Sequence, residues 1–229
     1  PAMRKIILFD IDGTLLWGGP AKSAFVDAMN ETYGMPGDVE NVSFAGKTDP
    51  QIARELLHGA GMSHEEIVSG LEELFGRYLG YLEARLPENP VTVLPGVREL
   101  LDALAAYDDV GVGLLTGNVA GGARLKLISG GLWGRFDFGS YGSDHELRDE
   151  LPSIAVARAR NLWGEVVTAD KAIVVGDTPR DIQCGKAGGT ATMAVATGSF
   201  TVDELSVHDP DHVLADFSST RAVVDLLLS

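Results

Sequence analysis

Two aspartates dominate the chemistry that this sequence could perform. Asp10 and Asp12 stand two positions apart, directly after the apolar run at residues 6–9, and Gly13 and Thr14 follow them. Burying neighbouring carboxylates is costly unless a cation or protons neutralise them. An Asp-Gly pair is also a common turn former, so this segment alone leaves a purely structural role open for either aspartate.

A hydroxyl, a glycine and an amide follow a second apolar run, at residues 110–115. They are Thr116, Gly117 and Asn118. Side-chain donors and a closely approaching backbone suit an anionic oxygen. The same three residues also make an acceptable turn, so by themselves they indicate an anion site only weakly.

Acidic residues follow a third apolar run, at residues 172–175. Asp177 comes just after it, and Asp181 lies in the first turn of a helix that Thr178 and Pro179 are expected to begin. A carboxylate in that turn could simply complement the helix dipole. The segment gains meaning only when it is combined with the two before it.

The elements that must position these residues alternate between strand and helix. Apolar runs typical of strands buried on both faces lie at residues 6–9, 110–115, 172–175 and 191–195, and helical patterns lie at residues 97–107, 120–128, 152–162, 180–187 and 219–228. The alternation predicts an α/β fold with a doubly wound, Rossmann-like parallel sheet. Ligands bind such sheets at the carboxyl ends of the strands, where the three polar segments would meet. Several carboxylates gathered there would suit Mg²⁺, which prefers oxygen ligands.

One long stretch interrupts the alternation. Residues 16–93 show no convincing strand but three successive helical patterns, the second beginning at Thr48 and the third at Ser63. We therefore predict an inserted α-helical cap over residues 16–93, and an α/β core made of residues 1–15 and 94–229.

Composition and missing motifs exclude several classes of protein. Of 229 residues, 45% are hydrophobic, which is ordinary for a globular chain with a full core. The 33 acidic and 18 basic residues give a formal charge of −15, so we expect neither nucleic acid nor an anionic membrane as a partner. The single cysteine, the scattered histidines and the lack of long apolar runs favour a cytoplasmic protein without a zinc cluster. Neither a P-loop nor a Gly-x-Ser-x-Gly elbow is present.

Taken in order, the three polar segments resemble the motifs of the haloacid dehalogenase (HAD) superfamily. The matching stretches read D-I-D-G-T-L from residue 10, L-L-T-G-N from residue 114 and G-D-T-P-R-D from residue 176. The helical insertion is similar to the C1 cap of that group, and the chain looks most like its phosphoglycolate-phosphatase-type hydrolases. The resemblance implies a Mg²⁺-dependent phosphatase acting on a small phosphorylated metabolite, such as phosphoglycolate or a similar acidic compound.

The resemblance also implies roles for the acidic residues. Asp10 would accept the phosphoryl group as an aspartyl-phosphate. Asp12 would protonate the leaving alkoxide and then activate the hydrolytic water. Mg²⁺ would be held by the Asp10 carboxylate, the Asp12 backbone carbonyl and Asp177, with Asp181 nearby, directly or through water.

The phosphoryl oxygens are expected to meet fixed donors and one cation. Thr116 and the amides of Gly117 and Asn118 would bind them. The lysine that the superfamily normally places before its last motif is missing, and we expect Arg148 to take its place, because a guanidinium can bridge a carboxylate and a phosphate. Lys171 is the alternative, but the start of its strand lies far from the site.

Two other functions stay open at this point. A phosphomutase of the β-phosphoglucomutase type shares the motifs, but it carries an arginine in the cap loop where this chain has Lys47 and Asp49. A non-catalytic phosphate- or metal-binding protein on the same fold is the alternative of another class. We also predict that Lys47 contacts the leaving group of an acidic substrate, although it could equally be a solvated loop lysine.

Overall fold

Strands and helices alternate along most of the chain. The structure, a computed structural model, describes residues 3–229, so residues 1 and 2 of the predicted core lie outside the described residues. The strands are Lys5–Phe9 (β1), Leu16–Gly18 (β2), Val91–Val93 (β3), Val110–Thr116 (β4), Phe138–Tyr141 (β5), Ala172–Gly176 (β6), Ala191–Val195 (β7) and His212–Leu214 (β8). The α-helices are Ala21–Tyr33 (α1), Asp49–Gly59 (α2), His64–Arg85 (α3), Val97–Leu104 (α4), Ala120–Ser129 (α5), Leu151–Trp163 (α6), Pro179–Ala187 (α7), Val202–Ser206 (α8) and Thr220–Leu227 (α9).

Six of the strands form one parallel sheet in the order β5-β4-β1-β6-β7-β8. The direction of winding reverses at β1, which lies between β4 and β6. Phe9, at the end of β1, is paired with Leu114 of β4 on one side and Val175 of β6 on the other. The segments that follow these three strands therefore meet at one edge of the sheet. The predicted α/β fold with a doubly wound parallel sheet is confirmed.

Strand β1 is apolar at successive positions because helices cover both faces of the sheet. Ile7 and Phe9 belong to the apolar cluster that continues into the helical insertion, whereas Ile6 and Leu8 belong to a second cluster against α6. Successive side chains of a strand point to opposite faces, so neither face tolerates a polar residue here. Asp10, the first residue after the strand, is the first position at which a polar side chain is tolerated.

The predicted helical insertion is also confirmed. Helices α1, α2 and α3 follow one another between β2 and β3, and α1 packs along α3. Thr48 and Ser63 begin α2 and α3 as expected, because their hydroxyls accept hydrogen bonds from the backbone N–H of Gln51 at 3.2 Å and of Glu66 at 3.3 Å. The division of the chain at residues 15 and 94 stays a prediction.

The expectation that residues 16–93 contain no strand was wrong at both ends. Strands β2 and β3 pair antiparallel at the base of the insertion. Segments of three residues are too short to show a periodic pattern, and their partners lie far apart in the chain. Strands β5 and β8 were not predicted either, because these edge strands are less buried and lack continuous apolar runs.

None of the helices described in residues 3–229 is long and apolar enough to cross a membrane. Helix α3 has 22 residues, but charged side chains are spread along it.

Candidate active site

Three carboxylates from two segments, one after β1 and one after β6, form a cluster at the sheet edge. One oxygen from each of Asp10, Asp177 and Asp181 lies within 4.8 Å of the other two, and all three residues are buried. Burial, reinforced by the neighbouring carboxylates, raises the pKa of Asp10 to about 7 and the pKa of Asp177 to about 8. The cluster, which already contacts the Arg148 guanidinium, therefore resists full ionisation unless a further cation joins it.

The donor set of this cluster fits a hard divalent cation. It consists of carboxylate oxygens, which Mg²⁺ prefers, and contains neither the imidazole nor the thiolate that zinc sites commonly use. Cys184 lies nearby, but burial raises its pKa to about 12, and its Sγ donates to the Asp181 carbonyl oxygen at 3.4 Å. A thiolate ligand is therefore not expected at neutral pH.

We expect Mg²⁺ to stabilise the folded protein more strongly at pH 8 than at pH 5.5. Asp10 and Asp177 have pKa values above their ordinary value of 3.8. Without a cation the folded state therefore binds more protons than the unfolded state between about pH 4 and pH 8, and the free energy of unfolding falls as pH rises through that window. Mg²⁺ competes with those protons, so its effect grows as they leave. Calorimetric Tm values with Mg²⁺ and with a chelator, at both pH values, test this, and an equal Mg²⁺-induced shift at both would contradict it.

The Asp177 side chain is held in a space that two glycines leave open. Thr14 Oγ1 donates to Asp177 Oδ1 at 3.1 Å. A Cβ atom on Gly13 would lie 2.2 Å from Asp177 Oδ2, and one on Gly198 would lie only 1.7 Å from it. Thr197 Oγ1 donates to the Gly13 carbonyl oxygen at 2.6 Å and joins the two segments. Sequence reasoning missed Gly198, because nothing near it in the chain marks it as part of the site.

Gly198→Ala should impair the carboxylate cluster while leaving the fold intact. The added methyl group overlaps the Asp177 carboxylate, whereas the Gly198 backbone is not in the left-handed region, so backbone strain does not confuse the result. A displacement of about 1 Å can reduce the rate roughly 100-fold. We expect a loss of that order in kcat and a weaker Mg²⁺-induced rise in Tm. Gly134→Ala is the matched control, because a Cβ there meets nothing within 4 Å. Equal behaviour of the two variants would contradict this role for Gly198.

The structure brings Arg148 to the carboxylate cluster. Its Nη2 lies 3.1 Å from Asp10 Oδ2 and 2.5 Å from Asp181 Oδ1. Burial opposes the charge of this guanidinium, but the two carboxylates raise its pKa well above the ordinary value. Lys171, the alternative, donates to the Met3 carbonyl oxygen and lies at the opposite end of the strands. Of the two cations, Arg148 alone can reach Asp10.

Asp12 is bound by a lysine that sequence reasoning missed. Lys126 Nζ lies 2.9 Å from both carboxylate oxygens of Asp12 and donates to Asn118 Oδ1 at 2.7 Å. The Asn118 amide nitrogen donates to Asp12 Oδ2 at 2.7 Å. Burial acts to raise the pKa of Asp12, but Lys126 and Asn118 lower it further than burial raises it. Half of the Asp12 side chain is exposed to the cavity. Asp12 is thus a carboxylate fixed in position by an ammonium and an amide.

A sequence signal for Lys126 does exist. Helix α5 buries Ala123, Lys126 and Leu127, so the lysine stands on the apolar face of the helix. A lysine there requires a partner for its charge. Burial opposes that charge, but the Asp12 carboxylate and other anionic groups raise the Lys126 pKa above its usual range.

Thr116, Gly117 and Asn118 line the same cavity. Thr116 is fully buried, and its Oγ1 accepts from the Asn118 side-chain amide at 2.7 Å. A Cβ on Gly117 would lie 2.0 Å from the Lys47 carbonyl oxygen, so only glycine permits this approach of the insertion to the core. The sequence predicted that a backbone would approach Gly117 closely, and in the structure the approaching backbone is that of the insertion at Lys47.

The segment before α2 rests directly on the core. The Asp49 N–H donates to the Gly117 carbonyl oxygen at 2.8 Å, and its carboxylate accepts from the Val119 N–H at 2.8 Å. Burial raises the pKa of Asp49 to about 6. Lys47 lines the cavity, but its ammonium pairs with Glu55 of α2. It therefore reaches the cavity as part of an ion pair.

A single cavity of about 590 Å³ joins these groups. Its floor is formed by the sheet edge, with Asp10, Asp12, Asn118, Lys126 and Arg148, and its roof is formed by the helical insertion. Carboxylates, two cations and several hydrogen-bond donors therefore open onto one cavity, which is an arrangement suited to the transfer of an anionic group.

Comparisons with known proteins agree with this geometry. A family model described as haloacid dehalogenase-like hydrolase matches residues 4–189. The "Probable phosphatase IndB" of Dickeya dadantii is 27% identical over 229 residues, covering 99% of this chain and 96% of the relative. The "Phosphoglycolate phosphatase" of Rhodospirillum rubrum is 31% identical over 203 residues, covering 86% of this chain and 81% of the relative.

Solved structures share the fold over nearly the whole length. A predicted phosphoglycolate phosphatase from Haemophilus somnus has a TM-score of 0.66 at 18% identity, covering 98% of this chain and 99% of the other. CbbY from Rhodobacter sphaeroides, solved in complex with phosphate, has a TM-score of 0.62 at 19% identity, covering 94% and 96%. Because the family model spans the sheet edge and the helical insertion together, this chain belongs to the haloacid dehalogenase-like hydrolases, as its motifs implied.

Proposed function

We propose that this protein is a Mg²⁺-dependent phosphatase that hydrolyses a phosphate monoester through an aspartyl-phosphate on Asp10. One observation carries the proposal. Asp10 lies buried against Arg148, while Asp12, two residues on, is half exposed in the same cavity and is bound by Lys126. A protein that only bound phosphate or a metal would have no use for a second carboxylate fixed in this way.

In the first step, an Asp10 carboxylate oxygen attacks phosphorus and the bond to the leaving oxygen breaks. Asp12, which must carry a proton at this step although Lys126 favours its ionised form, gives that proton to the leaving oxygen, so the product leaves as an alcohol. It regains a proton from water in the second step. Arg148, Thr116 and the amides of Gly117 and Asn118 are the candidate donors to the phosphoryl oxygens, whose negative charge grows in the transition state.

In the second step, Asp12 acts as a base. It takes a proton from water, the water oxygen attacks phosphorus, and the bond to Asp10 breaks to regenerate its carboxylate and release inorganic phosphate. Lys126 supports this step, because it favours the ionised form of Asp12. Mg²⁺, held by Asp10, the Asp12 carbonyl and Asp177, with Asp181 nearby, would supply positive charge to the phosphoryl group.

The phosphomutase alternative receives less support. It requires a cation in the cap loop that can bind a second phosphate. Lys47 is paired with Glu55, and the carboxylate of the neighbouring Asp49 accepts a hydrogen bond from the Val119 N–H. The phosphatase is therefore the function that we propose.

Phosphate release from a panel of monoesters, with Mg²⁺ and with a chelator, tests the proposal. We expect release that requires the metal ion. A phosphomutase would instead move phosphate between positions of a sugar with much slower hydrolysis. Absence of release from every ester, in a folded and Mg²⁺-supplied protein, would contradict the proposal.

The identity of the leaving group is a separate question. Several relatives are named phosphoglycolate phosphatase. Lys47 would bind the carboxylate of such an acidic substrate only if its ion pair with Glu55 opened. A cytoplasmic location also stays a prediction.

A further inference from the structure

The cavity is larger than a phosphoryl group and a two-carbon acid require. Its volume of about 590 Å³ lies within the range of sites that hold drug-sized molecules, roughly 300–1,000 Å³. Beyond the phosphoryl end it continues beneath α1 and the segment at residues 39–49. A leaving group as small as that of phosphoglycolate would leave most of this wall without contact.

The wall beyond the phosphoryl end is aromatic. Phe25 packs edge to face against Phe44, with ring centroids 6.1 Å apart, and against Tyr78, with centroids 5.4 Å apart. Phe25 and Tyr78 are almost completely buried, so packing holds their rings in place behind the partly exposed ring of Phe44. Trp17 also lines the cavity, but 53% of it is exposed. The exposed indole of Trp17 and the partly exposed ring of Phe44 both line the cavity, and each offers a flat surface for a ring.

The charges on this wall do not favour an acidic leaving group. Lys47 is paired with Glu55, and Lys22 is exposed, with its Nζ 5.5 Å from the centroid of the Phe44 ring. Glu40, which is also exposed, lines the same region and offsets the positive charge of Lys22. Neither lysine of the wall is both buried and unpaired, so a second anionic group would gain little here.

We propose that the preferred substrates are phosphate monoesters of uncharged alcohols that carry an aromatic or similarly flat ring. The phosphoryl group lies at Asp10, and the ring lies against Trp17 and Phe44. This inference rests on the proposed phosphatase function, because it assigns the leaving group of that same reaction.

The test compares three esters whose phosphoryl groups are alike. Ethyl phosphate and 2-phenylethyl phosphate release simple primary alcohols and differ by one ring, while phosphoglycolate supplies the small acidic alternative. Burial of a ring-sized apolar group corresponds to a preference of about 10- to 100-fold. We expect kcat/KM for 2-phenylethyl phosphate to exceed that for either other ester by a factor in that range.

A pair of tryptophan variants locates the preference. Trp17→Ala should reduce the advantage of the phenyl ester over the ethyl ester about tenfold. Trp133→Ala is the matched control, because Trp133 is also exposed, at 39%, and does not line the cavity. Calorimetric titration of the Asp10→Asn variant with both esters measures binding without turnover, and we expect the phenyl ester to bind at least tenfold more tightly.

Three outcomes would count against these proposals, and they can be told apart. Equal kcat/KM and equal binding for the ethyl and phenyl esters would overturn the ring preference. So would a preference for phosphoglycolate that Lys47→Ala removes, since the leaving group would then be acidic. Hydrolysis of none of the esters would contradict the phosphatase function, and the calorimetric comparison would still decide whether the cavity binds a ring.

Discussion

Asp10→Asn is expected to abolish turnover, with a loss of roughly a thousandfold or more, while the protein stays folded. The amide is nearly the same size as the carboxylate, but it is neither a nucleophile nor a good ligand for Mg²⁺. The variant also removes one of three crowded carboxylates, two of which have raised pKa values. Without a divalent cation its Tm should therefore equal or exceed that of the unaltered protein at pH 8.

Phosphate release and calorimetry on the same preparation separate the two effects. Asp108→Asn is the matched control, because Asp108 lies in an exposed turn before β4. Turnover of Asp10→Asn within about tenfold of the control would contradict an aspartyl-phosphate on Asp10. A much lower Tm would instead mean that the carboxylate holds the sheet edge together, and the rate would then say nothing about chemistry.

Lys126→Met is expected to lower kcat by about 100-fold for esters of simple alcohols. Methionine has a similar length but cannot donate the two hydrogen bonds that hold the Asp12 carboxylate. Proton transfer by a misplaced acid is slow, and esters of poor leaving groups depend on it most. The loss should therefore be smaller for an aryl phosphate, whose leaving group needs less protonation.

The pH dependence distinguishes this role from a structural one. Lys126 lowers the pKa of Asp12, so its removal raises that pKa, and the step in which Asp12 acts as a base should need a higher pH. Lys186→Met controls for the loss of a lysine, because Lys186 is exposed on α7. An equal loss for alkyl and aryl esters with an unshifted pH profile would mean that Lys126 does not act through Asp12.

The sequence by itself determined the four central strands of the sheet and the positions that follow them. A strand covered on both faces must be apolar at successive positions, so the central strands were visible as continuous runs. Parallel strands end on one side of the sheet, and that topology predicted a shared site for Asp10, Thr116 and Asp177. The capping residues Thr48 and Ser63 likewise located the starts of two helices of the insertion, because capping depends on residues three positions apart.

Arg148 was predicted from the motif resemblance, as the replacement for a lysine that this chain lacks. The motif resemblance implied a cation before α6, and this arginine was the available guanidinium. Its contacts with Asp10 and Asp181 depend on distant parts of the chain. The sequence could therefore identify Arg148 as a candidate, but it could not predict which carboxylates the guanidinium contacts.

Only the tertiary structure decided which residues surround those that the motifs marked. Lys126 and Asp12 are 114 positions apart, and their ion pair forms because α5 packs beside the end of β1. Gly198 matters because the loop after β7 passes over Asp177 so closely that no side chain fits. The tertiary structure also decided the pairing of β2 with β3 and the ion pair between Lys47 and Glu55. Local patterns record burial and backbone preference along a segment, whereas these contacts arise between segments that the folding of the chain brings together.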